Sequence, residues 1–375
     1  MKEKQPLVAV IGASPVTGVD HLKAAQSAGY DLAVVDTNPE RTQALHQQFG
    51  ATPFGSISAM LEKLSSDGRA LHIAVVATPS ALHLPHLTEL ALARRIGMLK
   101  LGGILLEKPP WLPRENSEAA ELITDLDRDG LKVGVGMTTL FDEAFIGVTE
   151  AVQSGVLGQV ISIEDEIYFQ VTADMGLPPN YFRSVDEGGS TLLLNGVHGL
   201  HRIDKLARTD REPPGNARII RSFEKRPSEQ PLHFTPQADY GHFHISYPNG
   251  VTADMKVGWT AYPPEPSRFL VIAEQGTAAI YGNGDSWKIT ARGDDGEYRT
   301  QLYTRTKAFN KFQKQFDAMD QWVRTSVRPS GLPDLSDLMW TMTSLNNSFT
   351  ELKRVPIGSR AHKLAHQPTE RVSTH

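Results

Sequence analysis

Leu7-Val8-Ala9-Val10-Ile11-Gly12-Ala13-Ser14-Pro15-Val16-Thr17-Gly18 is the stretch from which the fold is read. Leu7 to Ile11 is short and wholly apolar, the pattern of a strand covered on both faces. It runs through a glycine turn into a helical pattern from about Val19 to Ala28, then into a second apolar strand, Leu32 to Val35, that ends in Asp36. Strand, glycine turn, helix, strand and acid, in that order and length, make up a dinucleotide-binding unit. Gly12 lets the backbone approach a pyrophosphate, and Ser14, Pro15, Val16 and Thr17 complete the turn beneath it. The helix start supplies unpaired N–H groups and the positive end of its dipole. Asp36, with Thr37 beside it, falls where a carboxylate accepts from an adenosine ribose. The usual second and third glycines are replaced by Ser14 and Thr17, and Gly18 predicts a turn one residue longer than normal. A carboxylate at position 36 repels a 2′-phosphate and favours NAD, while Arg41 keeps NADP as the alternative.

Further along, Ile73 to Ala77 is a strand ending in Thr78-Pro79-Ser80, placed to line the nicotinamide side of a cleft through Ala77, Thr78 and Pro79. His83 follows, either on the cofactor side or as a helix-cap or surface histidine. Leu87 to Ala93 reads as helix. The run Gly103 to Leu106 reads as a buried strand that delivers Glu107 and Lys108 at its carboxyl end before Pro109 and Pro110 stop it. That end of a strand in an open α/β sheet is where ligands bind. A lysine beside a cofactor's positive ring is pushed toward a lower pKa and becomes a usable acid or base. The alternative is an ordinary surface Glu-Lys pair before a turn. A helix from Glu115 to Arg128 and a strand from Leu131 to Gly136 close a nucleotide domain spanning residues 1–137.

Beyond Thr139 the texture changes. Glu143 to Ser154 is helical, and strand-like runs then dominate: Val160 to Phe169, His242 to Tyr247, Val251 to Trp259, Phe269 to Ala273 and Ala278 to Tyr281. The helical exception is Leu193 to Leu206, and the polar, proline-rich segment Arg208 to Gln237 reads as a loop. Many strands with few helices predict an antiparallel sheet with helices on one face. Lys307 to Val327 is a helix whose Phe309, Phe312, Phe316, Met319 and Val323 form a core-facing stripe. Ser336 to Lys353 is the last helix. The second domain is placed at residues 138–360 and a disordered tail at 361–375.

A chain of 375 residues, 40% hydrophobic, is long enough for two domains. A net charge of -5 gives no basic stripe, so nucleic acid is not an expected partner. The absence of cysteine excludes disulfides, thiolate metal sites and cysteine nucleophiles together, and fits a reducing compartment. The first residues lack the apolar run of a signal peptide, and no apolar stretch reaches membrane-spanning length. The expectation is a soluble cytoplasmic protein.

A second informative block comprises Tyr181-Phe182-Arg183, Glu187-Gly188-Gly189-Ser190 and Asn195-Gly196-Val197-His198-Gly199-Leu200-His201. On a helix Asn195, His198 and His201, each three apart, share a face. Histidine suits proton exchange with a hydroxyl near neutral pH, although a lone histidine on an apolar helix is commonly packed into the core. His198 and His201 raise a zinc reading with His242 and His244 as further ligands, but neither pair has i, i+4 spacing and no carboxylate cluster accompanies them, so no metal is expected.

With Ala77-Thr78-Pro79, Glu107-Lys108-Pro109, Phe182-Arg183 followed by Gly188-Gly189, and Gly196-Val197-His198, the chain resembles the Gfo/Idh/MocA family of oxidoreductases over nearly its whole length. The resemblance implies a Rossmann domain followed by an α+β domain with a large, open, mostly antiparallel sheet, whose exposed face pairs subunits into dimers or tetramers. It implies oxidation or reduction of a carbinol of a sugar, cyclitol or related polyol with NAD(P). It makes Lys108 and His198 the catalytic pair and implies a cis peptide before Pro109 that aims Lys108 into the cleft. Tyr181, Arg183, Asn195 and His201 are the further candidates for substrate contact. The family acid four positions before the histidine is Leu194 here, the later acid is His201 with Asp204 one turn on, and the aromatic-arginine signature after the sixth strand is replaced by Thr138-Thr139-Leu140-Phe141. Those departures leave two other readings. One is an enzyme that holds NAD tightly and uses transient oxidation for elimination or glycoside cleavage. The other is a non-catalytic NAD(H)-binding protein.

Overall fold

Strand β1 (Leu7–Ile11) is buried along its whole length, and parallel neighbours flank it on both sides. In the computed structural model, which describes residues 5–15, 17–168, 189–208, 214–223, 240–258, 267–282 and 284–350, it is followed by α1 (Gly18–Ser27), β2 (Asp31–Val35), α2 (Pro39–Phe49), β3 (Thr52–Phe54), α3 (Ile57–Ser66) and β4 (Leu71–Val76). Then come α4 (His83–Arg95), β5 (Leu101–Glu107), α5 (Asn116–Arg128) and β6 (Lys132–Gly136). The six strands form one parallel sheet in the order β3-β2-β1-β4-β5-β6. The order reverses between β1 and β4, which opens a crevice at their carboxyl ends. α2, β3 and α3 complete the first half of the sheet and were not anticipated from the sequence.

After α6 (Glu143–Gln153) the chain lays down β7 (Val160–Tyr168), a π-helical turn at Leu192–Gly196 that runs straight into α7 (Val197–Ala207), and β8 (Asn216–Phe223). β9 (Tyr240–Ser246), β10 (Thr252–Gly258), β11 (Arg268–Ala273), β12 (Gly276–Tyr281), β13 (Ser286–Arg292) and β14 (Tyr298–Thr304) follow. They form an eight-stranded sheet, β14-β13-β12-β11-β7-β10-β9-β8, antiparallel except for the β7–β10 pair. β8 corrects the loop expected across Arg208 to Gln237: Ala217 and Ile219 are half-buried between exposed Asn216, Arg218 and Ile220, the alternation of an edge strand. β13 and β14 were also unforeseen and form a hairpin closed by Gly293 to Gly296. The tail expected after residue 360 lies outside the described residues.

The last helices are α8 (Lys311–Thr325) and α9 (Leu335–Thr350). α8 returns to the first sheet. A Cβ on Gly103 would come 2.5 Å from the Met319 methyl, and one on Gly102 would come 2.8 Å from Val323. Glycine in a strand interior costs stability but permits close approach, and here it makes a flat floor for the Met319–Val323 stripe. Phe316 and Met319 are fully buried there. Tyr30 donates to Asp320 at 2.5 Å, while His72 and Arg324 also engage that carboxylate, knotting α8 to the base of the sheet. Burial first, and then its bond to Asp320, pushes the Tyr30 phenol up to about 12. Among the described residues no helix is long and apolar enough to cross a membrane.

Candidate active site

The crevice between β1 and β4 is lined by the residues that the glycine turn places there. Gly12 has φ +85°, and a Cβ on it would lie 2.6 Å from the Thr78 nitrogen and 2.7 Å from the Ala77 carbonyl. Only glycine meets both demands. Gly18 fills the role that the sequence left vacant at Thr17: its Cβ would strike the Gly12 oxygen at 2.5 Å and Ala13 at 2.7 Å, so it sets the close packing of helix on strand. Thr17, at the N-cap of α1, places no side-chain hydrogen bond on the helix, which leaves the dipole end open for an anion. Ser14 is half-buried and Pro15 exposed in the same turn; Val16 lies outside the described residues.

Asp36 is held tightly. Its carboxylate accepts from the Ala13 N–H at 3.1 Å and the Asn38 N–H at 2.9 Å, and Arg41 Nη1 sits 2.9 Å from Oδ2. Thr37 and Pro79 are exposed beside the crevice, and Ala77 is anchored through its N–H to the Ile11 carbonyl at 2.7 Å. The Thr78 hydroxyl oxygen is buried and has no protein partner, so a polar group of a bound molecule is what it lacks. A tight glycine turn, an uncapped helix start, a carboxylate at the second strand's end and an orphaned hydroxyl at the fourth together fit a nicotinamide dinucleotide.

His83 is neither on the surface nor free. It is 1% exposed, with Nδ1 2.7 Å from the Pro109 carbonyl and Nε2 2.8 Å from the Thr78 carbonyl. Both partners are acceptors, so a neutral ring satisfies one of them at a time. It braces the two loops from behind rather than presenting a nitrogen to the crevice.

β5 delivers Glu107 and Lys108, and the Lys108–Pro109 peptide is cis. Lys108 Nζ donates to the Leu194 carbonyl at 3.1 Å. Leu194 belongs to the π-helical turn Leu192–Gly196 that leads into α7. The place of the expected acid is therefore taken by a neutral carbonyl. Burial lowers the proton affinity of Lys108, Glu107 raises it, and Lys311 at the start of α8 lowers it again.

One turn beyond Leu194, His198 is 9% exposed, with Nδ1 3.1 Å from the Thr139 hydroxyl. Thr139 comes from the segment that replaces the aromatic-arginine signature, and no motif singles it out. Burial, then Lys108, Arg202, Lys311 and His201, hold His198 well below the usual histidine range. Beneath it Arg202 Nη2 donates to both oxygens of the fully buried Asp165, at 2.7 and 2.8 Å, and the guanidinium stacks over Phe269. His201 is also buried, and desolvation brings it down to about 4; Asp337 of α9 is the acid that acts on it. Asn195 is half-buried in the π-helical turn, while Tyr181 and Arg183 lie outside the described residues. His242 and His244 are remote in role: both contact Asp254 across the β9–β10 pair. Lys108, His198 and the crevice thus converge, whereas His83 and His201 are turned inward.

A parallel sheet in this order, a glycine turn packed on its helix and an acid closing the second strand define a Rossmann-type dinucleotide-binding protein. The chain belongs to the Gfo/Idh/MocA family of oxidoreductases: residues 7–137 match the oxidoreductase family with an NAD-binding Rossmann fold, and residues 145–279 match the GFO/IDH/MocA C-terminal domain. It is therefore an oxidoreductase of an NAD-binding family. Among curated proteins nothing matches the sequence. Solved structures with a similar fold include KijD10, a 3-ketoreductase from Actinomadura kijaniata in complex with NADP and TDP-benzene (18% identity, 94% of this chain and 99% of that chain, TM-score 0.71). The aldose-aldose oxidoreductase from Caulobacter crescentus, complexed with glycerol, is another (18%, 92% and 97%, 0.72). A third is the WlbA dehydrogenase from Bordetella pertussis in complex with NADH and UDP-GlcNAcA (18%, 95% and 99%, 0.68).

Proposed function

We propose that the protein moves a hydride between a nicotinamide dinucleotide and a carbinol or carbonyl carbon of a sugar, cyclitol or related polyol, with Lys108 and His198 at the reacting oxygen. The observation that carries this reading is the Lys108 ammonium, bonded to the Leu194 carbonyl one turn before His198. The nicotinamide, when bound, supplies or takes up the hydride. Lys108 donates a hydrogen bond to the substrate oxygen and exchanges its proton. Its lowered proton affinity makes that exchange easier than for an ordinary lysine. His198 stands among Lys108, Arg202 and Lys311, and those cations oppose a second positive charge. A neutral ring there orients the hydroxyl by accepting from it, and Thr139 fixes the ring's rotation. The test is reduction of NAD across a panel of sugars, cyclitols and sugar acids. No reduction with any of them, and no oxidation of NADH by the matching ketones, would count against the reading.

Asp36 supports NAD as the preferred cofactor, with Arg41 deciding how far NADP is accepted. Arg41 is paired with Asp36 and is partly exposed, so it is free to swing toward a 2′-phosphate. Arg41→Ala is expected to weaken NADPH binding about tenfold, equivalent to about 1.4 kcal/mol, and to leave NADH binding unchanged. Fluorescence titration reads both, and an unchanged NADPH affinity would reduce Arg41 to a partner of Asp36.

The outer face of the eight-stranded sheet carries exposed Tyr281 beside a charged ladder of Glu164, Glu166, Lys256 and Arg268. We assign subunit pairing to that face. Light scattering on the purified protein is expected to give a dimer or tetramer, and a monomer at micromolar concentration would refute the assignment.

A further inference from the structure

Beneath Lys108 lies a buried histidine–carboxylate pair. His21, on α1, is 0% exposed, and its Nε2 lies 2.8 Å from Glu107 Oε1. A carboxylate only accepts, so Nε2 carries the hydrogen. Glu107 is 5% exposed, and its second oxygen accepts the Lys108 main-chain N–H at 3.2 Å. Room for the carboxylate is made by Gly136 at the end of β6, where a Cβ would come 3.1 Å from Glu107 Oε1. The other edge of His21 meets the Phe312 ring of α8 at 5.3 Å and 87°, and its Nδ1 has no partner. The ring is thus gripped on two sides, with one hydrogen bond to give.

We propose that His21 is a positioning residue for Lys108: it holds the Glu107 carboxylate where that group both anchors the Lys108 main chain and faces the Lys108 ammonium with a negative charge. This deepens the proposed function, on whose assignment of Lys108 it rests. Because α1 is the helix whose start faces the cofactor crevice, the same contact ties cofactor helix to lysine. The groups that act on Lys108 are Glu107 on its own strand and Lys311 on α8. Lys108 in turn acts on His198 of α7, and Glu107 also acts on His83 of α4. Burial alone would favour the protonated, uncharged form of Glu107, and the His21 hydrogen bond is the largest influence against it. Without His21 the carboxyl loses that support and takes up a proton or moves, and Lys108 loses its opposite charge. Lys108 then releases its proton more readily.

Competitive acetylation with acetic anhydride, read by mass spectrometry on the Lys108-bearing peptide across a pH series, reports this without substrate or turnover. In His21→Leu and in Glu107→Gln the Lys108 labelling curve is expected to move to lower pH. Labelling below the wild-type midpoint would rise about tenfold, the change that loss of one nearby opposite charge produces. His21→Gln keeps a donor and is expected to restore the wild-type curve. A role confined to packing would lower the melting temperature of His21→Leu and leave its curve in place, which would overturn the proposal. If His21→Leu does not fold, an unmoved curve in Glu107→Gln overturns it equally. Failure of the dehydrogenase reading would appear in the hydride-transfer assays and not in these curves.

Discussion

Lys108→Ala is expected to lower the rate of hydride transfer by about 10²–10⁴-fold, the range for loss of a positioned proton donor, while NADH affinity stays within about threefold of wild type. The asymmetry follows from the geometry. The Lys108 head group bonds the Leu194 carbonyl and acts on His198, whereas Asp36 is held by the Ala13 N–H and Arg41. Nothing that anchors the dinucleotide's adenosine end is lost. His198→Asn is expected to cost less, about tenfold, the worth of one lost hydrogen bond, because burial first and then the surrounding cations keep the ring from holding a proton. Steady-state rates and NADH titrations on the three proteins check both statements. A Lys108→Ala protein of near wild-type rate would remove Lys108 from the chemistry, and a larger loss in His198→Asn would return the proton exchange to the histidine.

The largest stability effect is expected one turn beyond His198. Arg202 and Asp165 form an ion pair in which Asp165 is fully buried and one guanidinium nitrogen serves both of its oxygens. Removing one member of such a pair leaves an uncompensated buried charge and costs about 3–5 kcal/mol, whereas replacing both with apolar residues can be close to neutral. Burial already raises Asp165, with Arg202 opposing it, so Arg202→Leu forces the carboxyl to protonate or reach for water. Urea denaturation should therefore show Arg202→Leu as markedly destabilised and the Arg202→Leu, Asp165→Leu double variant as largely recovered. Equal losses in single and double variants would mean that the stacking of Arg202 on Phe269, and not the charge pair, carries the stability.

The elements that could be read from the chain are those whose pattern is local. β1, β4 and β5 are apolar runs stopped by glycine or proline, and the acid at the end of β2 needs no tertiary context to be noticed. The hairpin β13–β14 was in principle legible: Trp287, Ile289 and Ala291 alternate ahead of the Gly293 to Gly296 turn. Interleaved Lys288, Thr290 and Arg292 diluted that signal. β8 is an edge strand in a polar segment, and pattern alone does not separate it from loop. The stripe on α8 reads as packing from the sequence, but its destination depends on Gly102, Gly103 and Gly134, which read as weak strand positions until Met319 and Val323 are seated on them.

The same division holds at the site. Lys108 and Asp36 announce themselves by their place at strand ends. His21, Thr139 and the Leu194 carbonyl do not, because each acquires its role from a partner tens of residues away: Glu107, His198 and Lys108. Leu194 is the sharpest case. Its side chain is the departure that pointed toward altered chemistry, yet its main-chain oxygen is what receives the lysine, and a sequence carries no mark of a π-helical turn.

Deuterium tracing tests the central claim most directly. The protein would be incubated with NAD and, in turn, C-deuterated glucose, inositol and glucuronic acid, and the reduced cofactor examined by mass spectrometry. Deuterium on the nicotinamide in proportion to product, abolished in Lys108→Ala, is the predicted result. Product or deuterium released to water with no reduced cofactor accumulating would contradict net hydride transfer and make the cofactor an internally recycled oxidant.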